Sequence, residues 1–269
     1  MKGKWARSLV LLALTLSASG CAMPDRHVPP FARVPYQPLS RQAVVSIAMR
    51  EWRLFGQAVN DGPGAEPGSA IKPEREPGLW QRVGEYWWLG LNADAPESGW
   101  TGKHDGTGRV FPPEDDGEFA WSAAFVSYVL RIGGAGRHFP YSADHADYIN
   151  AAKRMKGGAA AGWIVVAERP ERYAPQPGDL ICFGRGRASG LRYDDLPTAA
   201  LFPSHCDIVV DASMPGSVAA IGGNVRDSVA MTYVPVTERG MLAAPDGTVL
   251  DTRYPWMAVL RLVTGGAGV

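Results

Sequence analysis

The sequence predicts an α+β fold in which helices come first and a small antiparallel sheet follows. Three observations carry that expectation. Apolar residues recur at helical spacing between Ser40 and Lys153, and after Gly178 the pattern shifts to short β-branched and apolar runs bounded by turn residues. The 32 glycines and 22 prolines make up about a fifth of the 269 residues, well above the usual share, so turns take much of the chain and a long helical bundle is excluded. With 46% hydrophobic and 20% charged residues the composition is that of a globular chain with one sizeable core.

Residues 1–20 belong to a leader. Lys2, Lys4 and Arg7 precede an apolar run, Leu9 to Leu16, that is too short to span a bilayer. Ala18-Ser19-Gly20-Cys21 then ends the run in small residues before a cysteine, and this stretch resembles a bacterial lipobox, with Ala18 where such sequences favour Leu. The resemblance implies cleavage before Cys21, lipidation there, and attachment to the membrane through the lipid. Ala22 in place of Asp implies the outer membrane, with the chain facing the periplasm. A plain signal peptide is the alternative. Residues 21–39 carry Pro24, Pro29, Pro30, Pro35 and Pro38 without a hydrophobic period and read as an extended tether. Residues 40–269 form one domain.

Within it, Ser40 is a helix N-cap, and Val45, Ala48, Trp52 and Phe55 mark the apolar face of a helix ending at Gly56. Asn60 to Gly78 is a Gly, Pro and charge-rich loop. Leu79 to Leu91 is a second helix whose Trp80, Trp87 and Trp88 are expected to fill core. Trp121, Phe125, Tyr128 and Ile132 share one face of a third helix, stopped by Gly133-Gly134, with Ser122 near its N-terminus. A short helix covers Ala146 to Lys153. Strands are expected at Gly178–Phe183, His205–Val210, Val218–Ile221, Tyr233–Val236 and Met257–Val263.

Charge narrows the function. With 27 basic and 27 acidic side chains and no net charge, no global field draws the chain to nucleic acid. Cys182 and Cys206 fall on neighbouring strands; in an exported protein they form a disulfide or stay as two buried thiols, and the sequence leaves both open.

Four motifs then occur in order: Trp121-Ser122-Ala123-Ala124-Phe125-Val126-Ser127, Gly178-Asp179-Leu180-Ile181, His205-Cys206-Asp207-Ile208-Val209 and Ile221-Gly222-Gly223-Asn224. Together they resemble the CHAP and NlpC-type papain-like amidases and endopeptidases over roughly Trp80 to Val263, in a bacterial branch with serine at the nucleophile position. The resemblance implies a papain-like domain and a peptidoglycan amide or an envelope protein as partner, with no cofactor. It puts Ser122 where the nucleophilic cysteine stands, His205 where the general base stands and Asn224 where the residue that orients the imidazole stands. Serine does not hold a standing anion as a low-pKa cysteine does, so Ser122 could attack only if His205 removed its proton during the attack. The other reading is a helix-end serine satisfying a local backbone group in a catalytically silent peptidoglycan-binding or adaptor lipoprotein.

Strand alternation puts Asp207 on the face of His205, where it tunes the imidazole, accepts backbone amides, or joins a metal site with His145-x-Asp147. No third and fourth ligand stands at diagnostic spacing, so no metal is expected. The roughly twenty-residue connection Gly184–Pro203 is a candidate lid or binding loop. Gly222-Gly223 is expected to permit a tight turn.

Overall fold

The computed structural model describes residues 38–60, 72–92 and 94–264. The leader, Cys21 and nearly all of the tether lie outside them. Among the described residues no helix is long and apolar enough to cross a membrane. The fold is α+β, as expected. Its sheet is larger than the sequence suggests and mixed, with seven strands in the order β1-β6-β5-β4-β3-β7-β2.

Two of these strands escaped the sequence pattern. β1 (Ala58–Val59) is two residues long, too short to show a period, and it pairs parallel with β6 (Ser228–Pro235). β2 (Val165–Glu168) is a short apolar run ending in a glutamate, and it closes the opposite edge against β7 (Trp256–Leu262). The centre of the sheet is β3 (Leu180–Gly184), β4 (Ser204–Asp211) and β5 (Ser217–Val225), paired antiparallel. Both faces of the central strands are covered, so they read as continuous apolar runs. Cys182, Cys206, Ile208 and Ile221 pack toward the helices, while Ile181, Phe183, Val209 and Ala220 join Trp256 in a second cluster.

Cys182 and Cys206 are direct cross-strand partners on β3 and β4 and form a buried disulfide with a Cα–Cα distance of 4.2 Å. The choice between bridge and free thiols is thereby decided. Arg226 and Asp227, at φ +52° and +59°, make the two-residue turn from β5 to β6, a left-handed pair suited to a twisted hairpin.

Ser40 caps α1 (Arg41–Leu54) through its side chain. The buried stripe of that helix is Val44, Ala48, Glu51 and Phe55, turned by about a residue from the expected one. The cause is Glu51, a fully buried carboxylate that looks like a solvent position in sequence. It accepts two hydrogen bonds from Arg82 (2.9 and 2.7 Å), two from Arg50 (2.9 and 2.7 Å) and one from Tyr86 (2.8 Å), so the charge is paired on every side. Trp52 is half-buried, its indole N–H donating to the Ala58 carbonyl.

In α2 (Leu79–Gly90), Trp87 enters the core but Trp88 is 60% exposed, against the expectation that all three tryptophans fill core. A Cβ at Gly90 would lie 2.5 Å from the Ala124 carbonyl oxygen; the glycine lets α2 approach α3 (Ser122–Ile132) closely. α3 is the central helix, buried from Ser122 to Leu130 between α2 and the sheet. The four-residue face seen in sequence understates this, and Ile132 at its end is exposed. α4 is His145–Lys156. The Gly184–Pro203 connection is packed down: Tyr193, Leu196 and Phe202 are buried, the Tyr193 hydroxyl donates to the Ala167 carbonyl, and Asn150 of α4 holds Thr198. These contacts tie the connection down at Tyr193, Leu196, Thr198 and Phe202, while most of its other residues are exposed.

Candidate functional site

Ser122 opens α3, and the preceding Trp121 donates its indole N–H to the buried carboxylate of Glu74. Burial, before any other cause, raises the Glu74 carboxyl to about 8. The Ser122 hydroxyl bonds neither a local backbone group nor His205. Its partner is Nε2 of His145, at 2.7 Å.

His145 is the first residue of α4, and Tyr148 lies three residues on, over the same face, with its hydroxyl hydrogen-bonded to His145 Nδ1. Burial holds His145 well below the usual histidine range, helped by the charges of His205 and Arg185, so the ring is neutral. Burial also keeps Tyr148 protonated, raising it well above the ordinary phenol value. A neutral imidazole has one donor and one acceptor nitrogen. His145 is the one hydrogen-bond partner of both the Tyr148 and the Ser122 hydroxyls among the described residues, so one of them donates to the ring and the other accepts from it. His145 is thus a base toward Ser122 in one tautomer and a donor toward it in the other.

The second histidine differs. His205 is the second residue of β4, and alternation along the strand brings Asp207 beside it, Oδ1 to Nε2 at 2.8 Å. Of the three roles open to Asp207, orienting His205 is the one its contact supports. The His205 ring lies beside those of His145 (centroids 5.2 Å) and Phe183 (5.5 Å). Gly222 admits the pair: a Cβ there would fall 1.9 Å from Asp207 Oδ1 and 2.9 Å from His205 Nε2. Gly223 does the same on the other face, where a Cβ would lie 2.5 Å from Phe125 of α3. These glycines lie within β5 and serve close approach, which corrects the expected turn. Asn224 follows at φ +55°, a left-handed conformation asparagine tolerates, and makes no hydrogen bond to His205; Asp207 holds the position the resemblance gave it.

A cleft of about 490 Å³ opens on this side, walled by Phe183, Arg185, His205, Asp207, Asn224 and Tyr254 among others. Ser122 and His145 are not in its wall; they are 5% and 4% exposed, behind His205. No three potential ligands gather into a metal site among the described residues. Asp147, named with His145 for that possibility, is engaged by the Ser142 hydroxyl.

The structure therefore brings His205, Asp207 and Asn224 to one cleft and leaves Ser122 outside it, with His145 as its partner. The sequence offered one signal for His145, its spacing to Tyr148 at a helix start. Its contact with Ser122, 23 residues away, is tertiary.

Residues 74–262 match the bacterial family described as "Uncharacterized protein conserved in bacteria (DUF2272)", and the chain belongs to that family. Neither a curated protein nor a solved structure matches it.

Proposed function

We propose that this is a lipid-anchored protein of the bacterial cell envelope whose papain-like cleft binds cell-wall peptide, with Ser122 serving structure and not attack. The observation that carries the reading is the separation of Ser122 from the cleft: its hydroxyl is engaged by a buried, neutral His145, while His205, Asp207 and Asn224 form the wall. The order of the four motifs supports the peptide ligand, and exposed Arg185 at the cleft rim suits the carboxylates such peptides carry. Cys21 would hold the chain at the outer membrane, facing the periplasm.

The test is co-sedimentation of the purified chain with isolated cell-wall sacculi. The chain is expected in the pellet, and Arg185→Glu is expected to move it toward the supernatant. Wild-type protein that stays in solution overturns the reading. Cys21→Ser is expected to release the protein from the membrane fraction or stall its processing, and unchanged fractionation removes the anchor.

A second reading, a serine amidase, is favoured by one observation: the 2.7 Å Ser122–His145 contact at a helix N-terminus, the geometry of a nucleophile and its base. It requires an acyl group on Ser122. Mass spectrometry after incubation with a fluorophosphonate separates the two readings, since only the amidase would be labelled there.

A further inference from the structure

We infer that His205 and Asp207 form a general base for a cleft-bound water, making the cleft a hydrolytic site for acyl carbonyls that works without a covalent intermediate. The inference goes beyond ligand binding and rests on the cleft alone, not on the identity of the ligand proposed above.

Three contacts hold the His205 ring: the rings of Phe183 and His145 against it and the Asp207 carboxylate on Nε2. A carboxylate is an acceptor, so Nε2 carries the hydrogen, and when the ring carries one proton Nδ1 has the lone pair. Nδ1 is the nitrogen of this ring with no hydrogen-bond partner among the described residues, and the ring lines the cleft. The orientation is that of a histidine whose tautomer is set by a carboxylate while its other nitrogen is left to work, the reverse of His145, where both nitrogens are taken. Gly222 is the steric condition for the pair, since any side chain there would occupy the space of Asp207 Oδ1. Asn224 supplies a donor. Its amide has no hydrogen-bond partner among the described residues, and its left-handed backbone holds it in the same wall.

The step balances without a co-reactant. Nδ1 takes a proton from water as the water oxygen bonds to the carbonyl carbon, and the Asn224 amide N–H stabilises the developing oxyanion. Collapse breaks the bond from carbon to the leaving oxygen or nitrogen, which receives the proton from Nδ1. The products are a carboxylic acid and an alcohol or amine, and Nε2 keeps its hydrogen bond to Asp207 throughout.

The probe is p-nitrophenyl acetate with the full chain. The expected result is turnover above buffer, linear from the first turnover, with a normal solvent deuterium isotope effect. His205→Gln should lower the rate by about 10²-fold, the usual worth of a positioned base. Asp207→Asn should lower kcat with little change in KM. Because these two changes touch a buried pair, Asn224→Gly provides an arm that the fold tolerates at a left-handed position. It is expected to lower kcat at least about tenfold with thermal unfolding unchanged. Turnover no faster than buffer, a burst of one acetyl per chain, or an Asn224→Gly rate equal to wild type each overturns the inference. Turnover without sedimentation on sacculi would leave the base standing and remove the cell-wall ligand.

Discussion

Two histidines stand ring to ring in this protein, 5.2 Å apart, and their surroundings give them opposite characters. His145 has a hydroxyl on each nitrogen, Tyr148 and Ser122, and lies behind the cleft. His205 has a carboxylate on one nitrogen and the cleft beside it. Both are nearly fully buried, so exposure does not separate them. The partner does: two hydroxyls, each able to donate or accept, take both nitrogens of His145, while a carboxylate that can only accept takes one nitrogen of His205 and leaves the other without a partner among the described residues.

The largest expected effect comes from cutting the bond behind the cleft histidine. Replacing both Cys182 and Cys206 by alanine frees a loop of 24 residues' separation and should cost about 3 kcal/mol in urea unfolding. Because Cys206 adjoins His205, amide exchange in β4 should rise more than in α4; equal rises would mean the two histidines share one cooperative support. Next comes Gly222→Ala. A methyl group 1.9 Å from Asp207 Oδ1 must push the carboxylate off His205, at about 2 kcal/mol, while Ser122–His145–Tyr148 keeps its contacts. Nitrogen shifts of the two imidazoles read this directly: those of His205 are expected to move and those of His145 to stay.

The sequence revealed His205 and Asp207 because strand alternation is local: residues two apart on one strand share a face wherever the strand goes. It also showed Ser40 as a cap and the limits of α1, α2 and α3 within about two residues, since caps and glycine stops act within a turn. Glu51 was illegible, because a buried carboxylate depends on Arg82 and Tyr86 from another helix. So was the β1 pairing, which two residues cannot announce. The Ser122 partner was misassigned in sequence for the same reason: motif order names which residues approach, while a single intervening side chain, His145, decides which of them touch.

A smaller effect tests the helix side through pH. Glu74 has its carboxyl raised to about 8 by burial and accepts from Trp121, the residue before Ser122. In the unfolded chain it ionises near the ordinary glutamate value. As pH rises between that value and 8, the unfolded chain has lost the proton while the folded chain keeps it, so this group's contribution to stability falls and is fully lost above 8. Relaxation of the short turn that carries Glu74 should leave of order 1–2 kcal/mol of that swing. Glu74→Gln keeps an acceptor for Trp121 and cannot ionise. Its melting temperature is expected to match wild type near pH 4.5 and exceed it at pH 9; parallel curves would place the titration elsewhere.

The smallest effect asks whether Ser122 is more than a hydrogen-bond partner. Ser122→Ala leaves Nε2 of His145 without its hydrogen-bond partner and should cost about 1 kcal/mol. Ser122→Cys is more telling, because a thiol becomes a fast nucleophile only beside an imidazolium or another cation. Burial holds His145 neutral, so no imidazolium stands beside the thiol to pair with a thiolate. Iodoacetamide near neutral pH should therefore alkylate Cys at this position more slowly than a free cysteine peptide, and His145→Gln should change that rate little. Rapid alkylation that His145→Gln abolishes would show that His145 takes the thiol proton, and would return Ser122 to the role of nucleophile with His145, not His205, as its base.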